Sequence, residues 1–217
     1  MRKLSAAVDR FAYNHPRFGI PNLMLYIVGA NALIYLLTVF AGIGPVSFLA
    51  FDWASIKAGE LWRLVTFWFM PGYFSSRDLI WLALFLYLYY MIGSTLEREW
   101  GTAKFSLYYL SGAVLTILTG VLMGLITGNA VMMGADYVNL SLFFAFATLY
   151  PNMQVLLFFI IPIKIKWLAW IDAALFGWSV LSSLFGVFTS GLAALPGVII
   201  PLVAILNYFI FFWDNFL

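Results

Sequence analysis

Glu60-Leu61-Trp62-Arg63-Leu64-Val65-Thr66 and Leu96-Glu97-Arg98-Glu99-Trp100-Gly101 decide the fold through what lies between them. No charge falls between Asp78 and Glu97, and the apolar run then closes abruptly on Glu97, Arg98 and Glu99. A helix needs about 20 apolar residues to cross the hydrocarbon layer, and this run is of that order. The pattern recurs outward from it. No charge separates Arg17 from Asp52, Lys104 from Asp136, Asp136 from Lys164, or Asp172 from Asp214.

Composition agrees. Charged residues are 9% of the 217 and hydrophobic ones 65%, which excludes a water-soluble domain. The runs are continuously apolar rather than alternating, which argues against a β-barrel. Six spans are predicted, over roughly 21–41, 79–96, 105–127, 135–150, 167–186 and 192–212. The expected fold class is an all-α membrane protein, a six-transmembrane-helix bundle with a membrane-embedded first loop. Residues 1–18 form an N-terminal cytoplasmic segment and 19–217 the transmembrane domain.

No apolar core directly follows Arg2-Lys3, so no cleavable leader is expected, and the last span leaves at most a very short tail. With the N-terminus inside, inner segments carry Arg2, Lys3, Arg10, Arg17, Arg98, Lys104, Lys164 and Lys166, against Lys57, Arg63 and Arg77 outside. That asymmetry places both termini in the cytoplasm. There is no cysteine and one histidine, His15, so disulfides and thiolate sites are excluded and a zinc site is disfavoured. No metal, cofactor or nucleic acid is expected; the lipid bilayer is.

The first outer loop is long and rich in Trp, Phe and Tyr: Phe48, Phe51, Trp53, Trp62, Phe67, Trp68, Phe69, Tyr73 and Phe74. Such a loop packs into the outer leaflet as short helices, with Arg63 held among ring faces, carbonyls or lipid phosphates. Residues 1–18 read either as a helix lying on the inner face or as a frayed tail. Met153–Lys166 is apolar, but Pro162 and the Lys164/Lys166 pair make it a connector near the surface. Gly112, Gly120 and Gly124 give the third span a small-residue face for helix packing.

Order and spacing of these motifs resemble the rhomboid superfamily of intramembrane serine proteases and its inactive relatives, the derlins and inactive rhomboids. Trp62-Arg63 is similar to the family's first-loop tryptophan-arginine pair, and Gly93, Glu97 and Gly101 match its Gly-x-x-x-Glu-x-x-x-Gly. Lys104-Phe105 with Leu107-Tyr108-Tyr109 resembles the start of its third span. Ala145-Phe146-Ala147 and Tyr150-Pro151-Asn152 resemble the end of its fourth, and Phe158–Lys164 the connector after it. The likeness covers roughly residues 20–212.

The catalytic residues do not carry over. The family's Gly-x-Ser-Gly falls on Gly134, Ala135, Asp136 and Tyr137, so aspartate stands in place of the nucleophile. The histidine position falls on Ala194, and the oxyanion-side His and Asn on Trp81 and Phe85. A serine needs a base to become nucleophilic, and the sequence supplies none near Ser141 or Ser179. Those hydroxyls are expected to bond backbone carbonyls of their own helices. An aspartic-protease dyad of Asp136 and Asp172 is disfavoured, since the two are expected near opposite faces of the membrane.

The candidate polar site is Asp136, Tyr137 and Asn139 at the top of the fourth span, together with Asp172 in the fifth. Asp136 reads both as a cap on free N–H groups and as a functional carboxylate, and the two roles can coexist. Asp172 is expected to pair with Lys166 or Arg98. The resemblance implies a catalytically inactive rhomboid-like protein that binds transmembrane clients. Alternatives are a rhomboid-type serine protease with an atypical site and a small transporter. The Leu-Tyr-Tyr start of the third span points to a bacterial plasma membrane. Tyr137, Trp81 and Phe85 are expected to plug the old cavity.

Overall fold

The computed structural model describes residues 2–41, 48–70, 79–128, 132–133, 135–157 and 161–212. Helices dominate it. They are α1 (Arg2–Asn14), α2 (Leu23–Ala41), the short α3 (Trp53–Lys57) and α4 (Arg63–Thr66), α5 (Leu79–Trp100), α6 (Thr102–Thr127), α7 (Asp136–Leu149), α8 (Ile165–Ser190) and α9 (Pro196–Phe212). Each expected span falls on one helix, α2 or one of α5 to α9. Four of these, α2, α5, α6 and α8, are long and apolar enough to cross a membrane; α7 and α9 are apolar but shorter.

Charge and glycine set the joints. Glu97 ends the apolar part of α5, and its Oε1 accepts from the Asn22 N–H and the Thr102 hydroxyl, both at 2.9 Å. That ties the ends of α2, α5 and α6 together. Gly101 alone links α5 to α6, with φ at 80°, a backbone region open to glycine. Gly93 lets α2 approach α5, since a methyl there would overlap the Met24 side chain. Gly124 does not serve a helix-helix face as expected: the indole of Trp53 from the first loop lies against it.

The core is layered along the bundle. One cluster, around Met24, Ile92, Phe105, Tyr108, Leu142 and Phe146, joins α2, α5, α6 and α7. Polar bonds thread it. The Ser111 hydroxyl donates to Asn207 Oδ1 (2.8 Å), Asn207 Nδ2 donates to the Tyr108 carbonyl (3.1 Å), and the Tyr108 hydroxyl donates to the Ser141 carbonyl (2.8 Å). In an apolar surrounding such bonds fix which helices meet. A second cluster, Phe51, Trp53, Ile56, Phe67, Met123 and Ile200, seats the first loop on α6 and α9.

α1 is a formed helix that packs on α6 and α9, with Lys104 Nζ 2.6 Å from Asp9 Oδ1; the frayed-tail reading is set aside. The connector after α7 is more ordered than expected. β3 (Gln154–Leu157) pairs antiparallel with β4 (Ile161–Lys164), Gln154 opposite Lys164. Pro162 is compatible with a strand that has a free edge, and Val155, Ile161 and Ile163 favour extended backbone. Tyr73, Phe74 and Phe158 lie outside the described residues.

Arg63 organises the first loop. It is 6% exposed; Nε donates to Glu60 Oε2 at 2.6 Å, Nη1 to the Ala50 carbonyl at 2.9 Å, and the guanidinium lies over the Phe48 ring at 5.8 Å. Ring and carbonyl were expected; the carboxylate of Glu60 completes the set. Trp62 Nε1 donates to the Phe48 carbonyl (3.3 Å), and the Thr66 hydroxyl to that of Leu49 (2.8 Å). Asp52 caps α3, accepting from Ser55 Oγ (2.6 Å) and Ser55 N (3.1 Å). The loop reaches α7 through β1 (Phe51–Asp52), which pairs with β2 (Met132–Met133) just before it.

Arg63→Ala should lower stability in detergent by about 1–3 kcal/mol, because charge-assisted bonds are lost and Glu60 and a carbonyl are left unpaired. An unchanged melting temperature would show that the guanidinium holds nothing. The Ser55 hydroxyl foremost, then the Ser55 and Ala54 N–H groups and Arg63, hold the Asp52 carboxyl below its usual range against the opposing effect of burial. A carboxyl lowered on folding stabilises fully above the unfolded pKa, near 4, and less as pH falls through the folded one. Asp52→Asn should therefore flatten the acid limb of a melting-temperature profile, and an identical acid limb would remove this role.

Candidate functional site

The positions expected to match the catalytic residues of the resembled family come first. Asp136 opens α7, after Ala135 at the N-cap, as a residue with surface exposure whose carboxylate is nonetheless largely screened from water. No side-chain cap bond forms at that N-cap; the carboxylate lies beside its own backbone N–H. The capping role therefore reduces to a favourable charge at a helix N-terminus. Gly134 lies outside the described residues. Ala194 sits in the 3-10 turn Gly191–Ala194 before α9, with its methyl directed at Gly186 of α8. Trp81 and Phe85 are 43% and 38% exposed on α5, so the rings expected to plug an interior cavity stand largely at the periphery. Tyr137 does pack inward, against the loop-side cluster of Phe51, Trp53 and Phe67.

The serine reading is tested by hydrogen bonds. Ser141 is 1% exposed, and its Oγ donates to the Val138 carbonyl of its own helix at 2.8 Å, as expected. His15 is exposed at the end of α1, where Nδ1 lies 3.2 Å from the Phe11 carbonyl and the imidazole stacks on the Phe11 ring. Glu97, Arg63, Trp62, Gly93 and Gly101 all act as joints rather than as reactive groups.

The structure gathers a different set. Asp136 at the start of α7 and Asp172 in α8 both lie close enough to the Tyr89 hydroxyl of α5 to act on it electrostatically. Tyr109 of α6 is in turn within electrostatic range of Tyr89. Tyr109 is 1% exposed and its hydroxyl has no hydrogen-bond partner; Asn139 Oδ1, one turn below Asp136, is also buried and unpartnered. No ion pair joins Asp172 to Lys166 or Arg98 among the described residues; Lys166 Nζ lies over the Trp167 ring instead.

Tyr89 and Tyr109 were the residues missed in the sequence. Tyr89 follows Phe85 by four residues, so the two share a helix face. Tyr109 was absorbed into an apolar span start, and nothing local distinguishes it from Tyr108, whose hydroxyl is satisfied by the Ser141 carbonyl. Chemically the group offers two carboxylates, phenols and an amide oxygen. Among the described residues no three metal-ligating side chains come together. The arrangement accepts hydrogen bonds and positive charge; it offers no nucleophile-base pair.

A model of the family described as "Eukaryotic integral membrane protein (DUF1751)" matches residues 21–213. The chain belongs to that family. It is therefore an integral membrane protein in contact with the lipid bilayer, and α2, α5 and α8 carry exposed apolar residues suited to that contact. No curated protein and no solved structure matches the chain. The family is eukaryotic, which overturns the bacterial plasma membrane expected from Leu107-Tyr108-Tyr109. Those residues answer to packing, since Tyr108 and Tyr109 are both buried in the core, and packing carries no record of source.

Tyr137→Ala should cost about 2–3 kcal/mol, as for a large-to-small change at a packed site. Asp136→Asn should cost no more than about 1 kcal/mol, the worth of a charge at a helix N-terminus. Thermal unfolding of both variants in one detergent decides, and equal shifts would mean that Tyr137 is not packed as described.

Proposed function

We propose that this protein is a catalytically inactive, rhomboid-like membrane protein that binds transmembrane partners. One observation carries the reading: the position of the family nucleophile is a carboxylate, Asp136, while the neighbouring Ser141 hydroxyl is sealed in the core on the Val138 carbonyl. The resemblance at Trp62-Arg63 and Gly93, Glu97 and Gly101 supports a rhomboid-like frame, because each of those residues occupies a joint. In this reading all six apolar helices cross the membrane and 19–217 is one domain.

Helix length supports partner binding. At 1.5 Å per residue, the 14 residues of α7 span about 21 Å and the 17 of α9 about 26 Å, against a hydrocarbon layer of about 30 Å. A bilayer thins around short spans, and that deformation favours association with other short or polar helices.

Purified protein in liposomes should leave model transmembrane substrates intact, while photo-crosslinkers placed at Phe85 or Trp170 in native membranes should trap other membrane proteins. Cleavage that disappears in Ser141→Ala or Asp136→Asn would overturn the inactive reading. Crosslinks to lipid alone would overturn the partner-binding one.

A further inference from the structure

A cavity of about 430 Å³ opens between α1 and the turn from α5 to α6. Asp9 and Tyr13 of α1 line one side of it, and Glu99, Trp100, Gly101 and Lys104 the other. Its volume is near the lower end of ligand-sized pockets. Open space lies before Gly101, where an added methyl would meet nothing. The wall carries both signs of charge. Lys104 Nζ lies 2.6 Å from Asp9 Oδ1, and an ammonium has further protons to donate. Glu99 Oε2 accepts from the Tyr150 hydroxyl at 3.0 Å, and its other oxygen has no bond among the described residues. The apolar part of α5 ends at Glu97, so the cavity lies just beyond the hydrocarbon. That is the level of the lipid headgroups, which tryptophan and tyrosine favour.

We infer that this cavity holds the headgroup of phosphatidylethanolamine, with the phosphate on Lys104 and the primary ammonium on the free oxygen of Glu99. A cation and a carboxylate in one small cavity match a zwitterion, a phosphate that carries an ammonium two carbons away. The ammonium brings N–H donors to the carboxylate, and the quaternary nitrogen of choline brings none. Nor is the enclosed ring free to receive choline. Trp100 is already engaged by Lys104 at 5.9 Å, Tyr108 at 5.5 Å and Phe212 at 5.4 Å. A headgroup with a phosphate and no amine would meet Asp9 and Glu99 with charge of the same sign. A metal ion is poorly served, since three ligating side chains do not converge among the described residues. Soluble esters of phosphoethanolamine carry the same chemistry; the place of the cavity at the membrane surface selects the lipid. The inference is independent of the partner-binding reading.

The test uses the full chain in detergent micelles, equilibrated with equal amounts of phosphatidylethanolamine, phosphatidylcholine and phosphatidylglycerol that share the same acyl chains. Native mass spectrometry counts the lipids retained. The ethanolamine lipid should be retained about tenfold over either of the others, the effect of one charge-assisted bond. Glu99→Gln keeps an acceptor for Tyr150 but removes the charge, and should abolish that advantage. Ala12→Phe fills the cavity from α1 without touching a charge, and should lower the ethanolamine lipid to the level of the other two. Equal retention of the three lipids by the unaltered chain, or a preference that either variant leaves intact, overturns the inference. Glycerophosphoethanolamine, the headgroup without its chains, should compete only in large excess. Displacement at the lipid's own concentration would reassign the cavity to a soluble ester and overturn the lipid assignment. A photo-crosslinker at Tyr13 in native membranes should capture lipid; capture of protein in its place would assign the cavity to a basic side chain of a partner and overturn the inference.

Discussion

A guanidinium withdrawn from water inside an aromatic loop has to be supplied with acceptors, and the first loop is built around that requirement. Arg63 collects the Glu60 carboxylate, the Ala50 carbonyl and the Phe48 ring, and in doing so fixes the backbone on both sides of β1. Once β1 is placed, Trp53 lies on Gly124, Phe67 fills the cluster below it, and β1 pairs with the residues just before α7. The start of α7, and with it Asp136, takes its position from this chain of contacts. An ion pair in such a setting contributes more to the choice of arrangement than to net stability, because desolvation offsets much of the attraction.

Helix positions were legible in the sequence because charge marks their ends: Glu97 to Glu99 close α5, and Lys166 sits in the first turn of α8. Composition says nothing about which helices touch. Gly124 read as a helix-packing residue because its spacing from Gly120 permits that, yet it accepts an indole from a loop some seventy residues earlier. The hairpin after α7 escaped notice because short strands at a membrane surface lack the alternation that marks a half-buried sheet.

The candidate site was legible in part. Asp136, Asn139 and Asp172 stand out because charges and amides are rare in apolar spans. Tyr89 and Tyr109 do not stand out, since tyrosine is common there and its hydroxyl matters only when tertiary packing denies it a partner. Trp81 and Phe85 point the other way: their alignment with catalytic positions suggested an interior plug, but the rotation of α5 leaves them substantially exposed. Periodicity gives the face of a helix, not the direction in which that face is turned.

The single glycine between α5 and α6 has a kinetic consequence. Helices of 22 and 26 residues joined by one residue form a hairpin whose ends are already held, so almost no loop-closure entropy opposes their docking. This antiparallel pair is the segment of the chain best able to enter the bilayer as a unit during synthesis. α2 can then dock through Met24 and Gly93, and α7 through Val138 and Leu142, onto a surface that is already formed. α8 contributes little to that order of events, having almost no buried residue, and joins an assembly whose interior is otherwise complete.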